Sequence, residues 1–285
     1  MSKYVILYNP MSGNGSGKTK AEQIPMPEGT TAEFWDITKI TDYRSFLEKL
    51  PEDSRLVLCG GDGTLNRFVN DTADLKRPKG ILFAPSGTGN DFLNDIGFPE
   101  NGLVELDQYI AHLPQVTVNG KTGYFLNGIG FGIDGYCCEE GDKQREAGKK
   151  DINYTTIAIT GLLFHFKPRT ATVTVDGVTK TFRKVWIAPT MNGRCYGGGM
   201  IPTPGQDRLH NDTVSLMLMY GKGRLKTLMV FPSIFKGEHV KHTEMVEIMT
   251  GKEITVKFDQ PTALQIDGET VRNVTEYSVK SAALV

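Results

Sequence analysis

Across the first 115 positions, short apolar runs alternate with polar stretches that carry helical spacing. Residues 4–8 (YVILY), 55–59 and 80–84 read as strands. Thr41 and Asp42 precede Tyr43, Phe46, Leu47 and Leu50 at i, i+3, i+4 and i+7, and Pro51 follows; this predicts a capped helix. Leu65, Phe68 and Val69 mark one face of a second, short helix. Further helices are predicted from Asn90 and over 103–113. Strands and helices taken in turn predict a parallel sheet with helices on its faces and ligands at the carboxyl ends of its strands.

The pattern changes after residue 115. Segments 115–119, 171–176, 179–188, 213–220, 253–258 and 276–280 are short, rich in β-branched residues and bounded by Gly, Asp or Asn. Asn119-Gly120 and Asp176-Gly177 are hairpin signals. Helical stretches are predicted only over about 147–165 and 223–236. The expected organisation is an α/β domain with a Rossmann-like parallel sheet over 1–115 and a mostly-β sandwich or flattened barrel over 116–285, whose last residues are candidates for returning to the first domain.

At 285 residues, 39% hydrophobic and 23% charged, the chain has the composition of a globular protein with room for two cores. Charge is unevenly placed: residues 1–115 carry 11 Lys/Arg against 16 Asp/Glu, the remainder 21 against 17. A basic second half suits an anionic membrane or substrate, although a solvated surface has the same composition. The chain opens directly on a strand, so no secretory signal is expected. The most apolar stretch, 154–166, would reach only ~20 Å as a helix against the ~30 Å of a bilayer core. Cys59, Cys137, Cys138 and Cys195 lack C-x-x-C spacing, and His239 and His242 lack the H-E-x-x-H order and a third ligand. The expected location is cytoplasmic.

Residues 9–19, NPMSGNGSGKT, come within one residue of a Walker loop: Gly17, Lys18 and Thr19 fit, but Ser12 stands where glycine is required. The helix such a loop must feed is cut short by Pro25 and Pro27, so a Walker site is not expected. Two other loops have the design of phosphate sites. Gly60-Gly61-Asp62-Gly63-Thr64 follows one strand and opens a helix, and Ser86-Gly87-Thr88-Gly89-Asn90-Asp91 does the same after the next. Glycines leave backbone N–H groups open to an anion, and a helix N-terminus adds partial positive charge. A tight turn with Asp62 as helix cap explains the first loop equally well. A third polar stretch, Asn127 to Gly135, begins the second half, and Asp267-Gly268-Glu269 reads locally as a hairpin turn.

Together GGDGT (60–64), GTGNDF (87–92), NGIGFG (127–132) and DGE (267–269), in this order and spacing, resemble the diacylglycerol kinase-like lipid kinases of bacteria. That family includes sphingosine and ceramide kinases and is more distantly related to NAD kinases. The resemblance runs from Asn9 to the C-terminus. It implies an NAD kinase/diacylglycerol kinase-like fold, with ATP in a cleft between an α/β domain and a β-sandwich. It assigns nucleotide contacts to Asn9, Thr38, Gly61, Asp62, Gly63, Thr64, Leu65, Asn66, Arg67 and Thr88. Glu269 matches the proton acceptor, with Asp267 beside it. A structural Mg²⁺ would fall on Asp212 and the carbonyls of Leu209 and Val214. Two residues depart from the pattern: Arg67 stands where glutamate is common, and Thr213 replaces the glycine after Asp212.

The expected reaction is in-line transfer of the ATP γ-phosphoryl group to a lipid alcohol, diacylglycerol first, with catalytic Mg²⁺ on the phosphates. Glu269 would accept the hydroxyl proton, with Asp62 orienting Mg²⁺ or substrate; Asp62 as the base is the alternative. Rival functions are an NAD kinase and a nucleotide-binding regulator without turnover. No nucleic acid partner is expected, and a homodimer is an open alternative. Residues 222–231 mix cations with large apolar residues, which suits either an interfacial helix on the inner face of the membrane or a helix packed on the sandwich.

Overall fold

A computed structural model of the chain describes residues 3–87, 89–99, 102–149, 151–210 and 212–282. Two compact units emerge, Met1–His112 and Leu113–Val285. The first contains, in order, β1 (Lys3–Tyr8), α1 (Ser12–Gly15), α2 (Gly17–Glu22), β2 (Thr31–Asp36), α3 (Tyr43–Glu48), β3 (Ser54–Gly60), α4 (Asp62–Asp71), β4 (Leu82–Pro85), α5 (Asp91–Ile96), β5 (Val104–Glu105) and α6 (Asp107–Ile110). Its sheet has the order β2-β1-β3-β4-β5, with β1 to β4 parallel and β5 antiparallel. Tyr4, Ile6, Val57, Cys59, Leu82 and Ala84 pack with Ala21 of α2 on one face. The alternate residues Val5, Leu7, Leu56, Leu58 and Phe83 are equally buried, which is why these strands read as continuous apolar runs. Asp42 caps α3 by accepting from the Ser45 amide at 3.1 Å.

The sequence pattern misses β2, an edge strand whose residues are half or fully exposed. It also overextends the helix expected over 103–113, which is β5 followed by the single turn α6.

The second unit contains β6 (Gln115–Val118), β7 (Lys121–Tyr124), β8 (Gly128–Gly132), α7 (Ile133–Glu146), α8 (Tyr154–Thr160) and a π-helical turn (Gly161–His165). There follow β9 (Arg169–Val175), β10 (Val178–Val185), β11 (Ile187–Met191), β12 (Val214–Met219), α9 (Arg224–Val230), 3₁₀ turns at Phe231–Lys236 and Glu238–Lys241, β13 (Val246–Gly251), β14 (Glu253–Ile266) and β15 (Glu269–Lys280). Its antiparallel sheet runs β13-β12-β11-β8-β14-β15-β6-β7, with β9 also on β14 and β10 on β9. β14 is the spine. Its first half pairs with β9 and its last three residues with β8, across register shifts between Lys257 and Leu264 that bend the sheet. Both expected hairpin turns form, and Asp267-Gly268 makes a third; all six turn residues have positive φ, as two-residue hairpins of type I′ require.

Two apolar layers flank this sheet. Val214, Leu216 and Leu218 of β12 face one, with Phe131, Phe258 and Tyr277 at its centre. Met217 and Met219 face the other, where Ala158, Leu162, Val230, Phe231 and Ile234 close over Trp186 and Ile187. The helix expected over 147–165 is corrected: α7 begins earlier, at Ile133, and α8 later, at Tyr154. Segment 179–188 is two strands, β10 and β11, separated at Trp186, and segments 253–258 and 276–280 are the far ends of one long hairpin. The last strand pairs with β14 and β6, both in the second unit.

Candidate active site

Parallel pairing puts the carboxyl ends of β1, β2, β3 and β4 along one edge of their sheet. The residues assigned to a nucleotide follow those ends: Asn9 after β1, Thr38 after β2, Gly61 to Arg67 after β3. Thr88, after β4, lies outside the described residues. Three of these loops are laced together. Asn9 takes its backbone position from Cys59 (N to O, 3.1 Å), donates from Nδ2 to Thr64 Oγ1 at 2.9 Å and accepts from the Met11 amide at 2.9 Å. Ser12 Oγ lies 2.7 Å from Ser86 Oγ, and the Ser86 amide donates to Gly60 O at 2.8 Å. Gly61 and Gly87 meet backbone to backbone: a Cβ on Gly87 would stand 2.7 Å from Gly61 Cα. Only paired glycines allow that approach.

Asp62 is the first residue of α4, and its carboxylate reaches forward to the loop after β4. Oδ2 accepts from the Asp91 amide at 2.7 Å and Oδ1 from the Phe92 amide at 3.3 Å, so Asp62 caps α5 from the neighbouring loop. The other assigned residues divide. Gly63 is exposed and open, Thr64 is held by Asn9, and Leu65 is sealed in the core. Asn66 accepts from Asn70, Arg67 pairs outward with Asp71 at 3.4 Å, and exposed Thr38 donates its amide and hydroxyl to Asp36.

The near-Walker loop has a different construction. Gly13 and Asn14 adopt left-handed conformations, and Lys18 turns away to Glu22 at 3.8 Å. Lys20, which no motif singled out, donates from Nζ to Ser86 O at 3.0 Å. The lysine that joins the loops is therefore not the one the Walker pattern selects.

In the second unit Asp267 is the first residue of the β14–β15 turn and Glu269 follows it. Asp267 accepts from three successive amides, Leu126 at 2.5 Å, Asn127 at 2.8 Å and Gly128 at 3.0 Å, fixing the start of β8. Arg208 adds bonds to Leu126 O and Asn127 Oδ1. Glu269 is exposed at the first position of β15. Its neighbour Asp267 thus has a scaffold's contacts, while Glu269 carries an acceptor outward. At the other end of β8, Asp134 is buried, accepts from Tyr196 Oη at 2.6 Å, and its Oδ2 has no partner among the described residues. Burial pushes its carboxyl up to about 7, against the bond from Tyr196. No sequence signal marked Asp134 beyond its place at the end of the glycine-rich stretch.

The expected structural Mg²⁺ set fits less well. Asp212 is paired with Lys252 (Oδ2 to Nζ, 2.5 Å), and its carbonyl accepts from Ser281 at 2.8 Å. The Leu209 amide is turned onto Asp207, and Val214 is already in β12 opposite Gly251. Among the described residues no group of three or more His, Cys, Asp or Glu side chains could hold a metal ion. A cation at Asp212 would have to displace the Lys252 ammonium.

Residues 3–119 match the diacylglycerol kinase catalytic domain, and residues 127–284 match the YegS C-terminal NAD kinase beta sandwich-like domain. The chain belongs to the diacylglycerol kinase-like lipid kinase family. It is similar to a diacylglycerol kinase of Mycobacterium tuberculosis (strain H37Rv), 26% identical over 281 residues that cover 92% of this chain and 86% of that one. A candidate lipid kinase of Bacillus subtilis, YtlR, is 24% identical over 304 residues and 94% of each chain. In fold it is similar to a solved structure of a candidate diacylglycerol kinase from Bacillus anthracis (strain Sterne), with a TM-score of 0.68, 21% identity, and coverage of 98% of this chain and 91% of that one. This lipid kinase family member is thus a phosphotransferase with an alcohol acceptor, and kinase chemistry implies ATP as donor. Among its described residues no helix is long and apolar enough to cross a membrane.

Proposed function

We propose that the enzyme transfers the γ-phosphoryl group of ATP, in the presence of Mg²⁺, to the hydroxyl of a lipid alcohol, with diacylglycerol the first candidate. The observation that carries this reading is the exposed carboxylate of Glu269 at the hairpin that Asp267 fastens to residues 126–128. Glu269 accepts the hydroxyl proton as the oxygen forms its bond to the γ-phosphorus; the bond to the β–γ bridging oxygen breaks, and ADP leaves. That step requires the carboxylate within hydrogen-bond reach of the acceptor hydroxyl. The laced glycine loops of the first unit would offer backbone amides to the phosphates, and bound Mg²⁺ would supply charge neutralisation there. Both oxygens of Asp62 accept from the start of α5, which supports a positioning role for Asp62 and the base for Glu269.

The test uses purified enzyme, Mg²⁺ and γ-labelled ATP, with lipid extract in micelles in one tube and NAD in another. Label in the organic phase supports the reading, and its chromatographic position identifies the acceptor; label on NAD would overturn it. Glu269→Gln should lower the transfer rate by roughly 10²–10⁴-fold with ATP binding unchanged. If the variant retains full transfer, Glu269 is not the base.

A further inference from the structure

Two stretches that the sequence presents separately, 154–166 and 222–236, form one layer. α8, the π-helical turn, α9 and the 3₁₀ turn after it bury Ala158, Leu162, Val230, Phe231 and Ile234 together over Trp186. Arg224 clamps the layer, donating to Leu162 O at 2.7 Å with its guanidinium 5.5 Å above the Trp186 ring. The inward face is complete. The outward face is also apolar: Leu225 is 73% exposed, Met229 71% and Phe164 70%, with Phe235 and Ile159 also exposed. Of the twelve large apolar residues exposed among the described residues, six, counting Tyr154, fall on this layer. Scattered apolar residues need no explanation, but a concentration of this kind marks an interaction surface.

The charges around it choose the partner. Residues 154–167 and 222–236 hold five Lys/Arg (Lys167, Lys222, Arg224, Lys226, Lys236) and no Asp or Glu. Of these, Lys226 pairs with Glu244 at 3.5 Å and Arg224 is the clamp already described, while Lys167, Lys222 and Lys236 make up the rest; Glu238 beside them pairs with Lys241 at 2.9 Å. At the end of the π-helical turn a cavity of about 300 Å³ is lined by Lys167, by Arg169 as a further cation, and by Glu139, whose carboxylate lies 3.7 Å from Lys143. A second copy docking through a two-fold axis would set this cationic face against itself. A surface of anionic headgroups over acyl chains matches both its charge and its apolar side chains.

We propose that this layer is a membrane-docking face, with Leu225, Met229 and Phe164 inserted at the headgroup–acyl boundary of an anionic bilayer. The inference rests on the lipid-kinase reading for its purpose, bringing the enzyme to an acceptor that resides in the bilayer, but not for its physics. Full-length protein should co-float with phosphatidylglycerol-containing vesicles and much less with pure phosphatidylcholine vesicles. Each large apolar side chain withdrawn should weaken binding about tenfold, so Leu225→Glu with Met229→Glu should weaken it by about 100-fold while the melting temperature holds. Val178→Glu, on exposed β10, should leave binding unchanged. Should the double variant not fold, Phe164→Trp reports independently through a blue shift of the added emission on anionic vesicles. Absence of binding, binding indifferent to these substitutions, or a dimer that the double variant dissolves would each overturn the proposal. Vesicle binding that depends on Leu225 and Met229, without phosphorylation of any lipid, would sustain the docking face and remove the proposed function instead.

Discussion

Two carboxylates stand at opposite ends of β8 under opposite conditions. Before the strand, Asp267 gathers three backbone amides. After it, Asp134 has one phenol and an oxygen with no partner among the described residues. A carboxylate ringed by amides is solvated by the protein, whereas one sealed in with a single donor holds its proton more tightly. The contrast separates a fastening from a stored proton, two roles that burial alone would not distinguish.

The sharpest way to test the contrast is pH. Folding raises the Asp134 carboxyl from 3.8 to about 7. Below about pH 4 both folded and unfolded chains hold the proton, and its stabilising contribution is fully present. As pH rises toward 7 only the unfolded chain releases it, so stability falls; above 7 the loss is complete. Asp134→Asn has no proton to lose. The variant should match the wild type near pH 4 and exceed it by on the order of 3–4 kcal/mol at pH 8. Urea unfolding at the two pH values measures this, and a pH-independent difference would break the contrast.

Asp267→Ala tests the other side. Three amides at the start of β8 lose a charged acceptor, which should cost about 2–3 kcal/mol at pH 7. Hydrogen exchange should quicken first at residues 126–128. An unchanged denaturation midpoint would mean that water replaces the carboxylate without loss.

The same two sites explain what the sequence made legible. The glycine loops of the first unit could be read because each follows an unbroken apolar run, and parallel pairing then brings their ends together. β8 could not, because Gly128, Gly130 and Gly132 look like a loop; the glycine at 130 is there because a Cβ would stand 2.5 Å from Asp134 Oδ2 and 2.9 Å from Pro189 Cα. α7 was missed because its sequence, from Glu139 onward, is largely charged and polar and shows no apolar stripe. β2 was missed because an edge strand buries too little to alternate. Thr38 is assigned by the resemblance alone, since periodicity does not mark it. The bond from Asp267 to residue 127 spans 140 positions, beyond any local pattern, so the hairpin was visible and its purpose was not.

In the first unit the corresponding fastening is steric. Gly87→Ala would drive a methyl group into Gly61 Cα and separate the two loops. The expected cost is about 1–2 kcal/mol of stability, with a larger relative loss in affinity for ATP if these loops hold its phosphates. A variant with unchanged melting temperature and unchanged ATP binding would show that the two loops need not touch.

The smallest effects decide the fate of the near-Walker loop. Lys20 donates to Ser86 O from a partly buried position, so Lys20→Ala should cost about 0.5–1.5 kcal/mol through a lost bond between loops. Lys18 is exposed, and its ammonium lies 3.8 Å from Glu22; Lys18→Ala should change stability by no more than about 0.5 kcal/mol. ATP binding gives the sharper reading. In a Walker loop the lysine at position 18 would reach the β- and γ-phosphates, so its removal should weaken binding. Here Lys18 points along α2 to the next turn, while Lys20 faces the loop after β4. Titration of ATP against both variants should therefore find Lys18→Ala indistinguishable from the parent chain. Loss of binding in that variant would return the loop to the Walker class and make Lys20 only a strut.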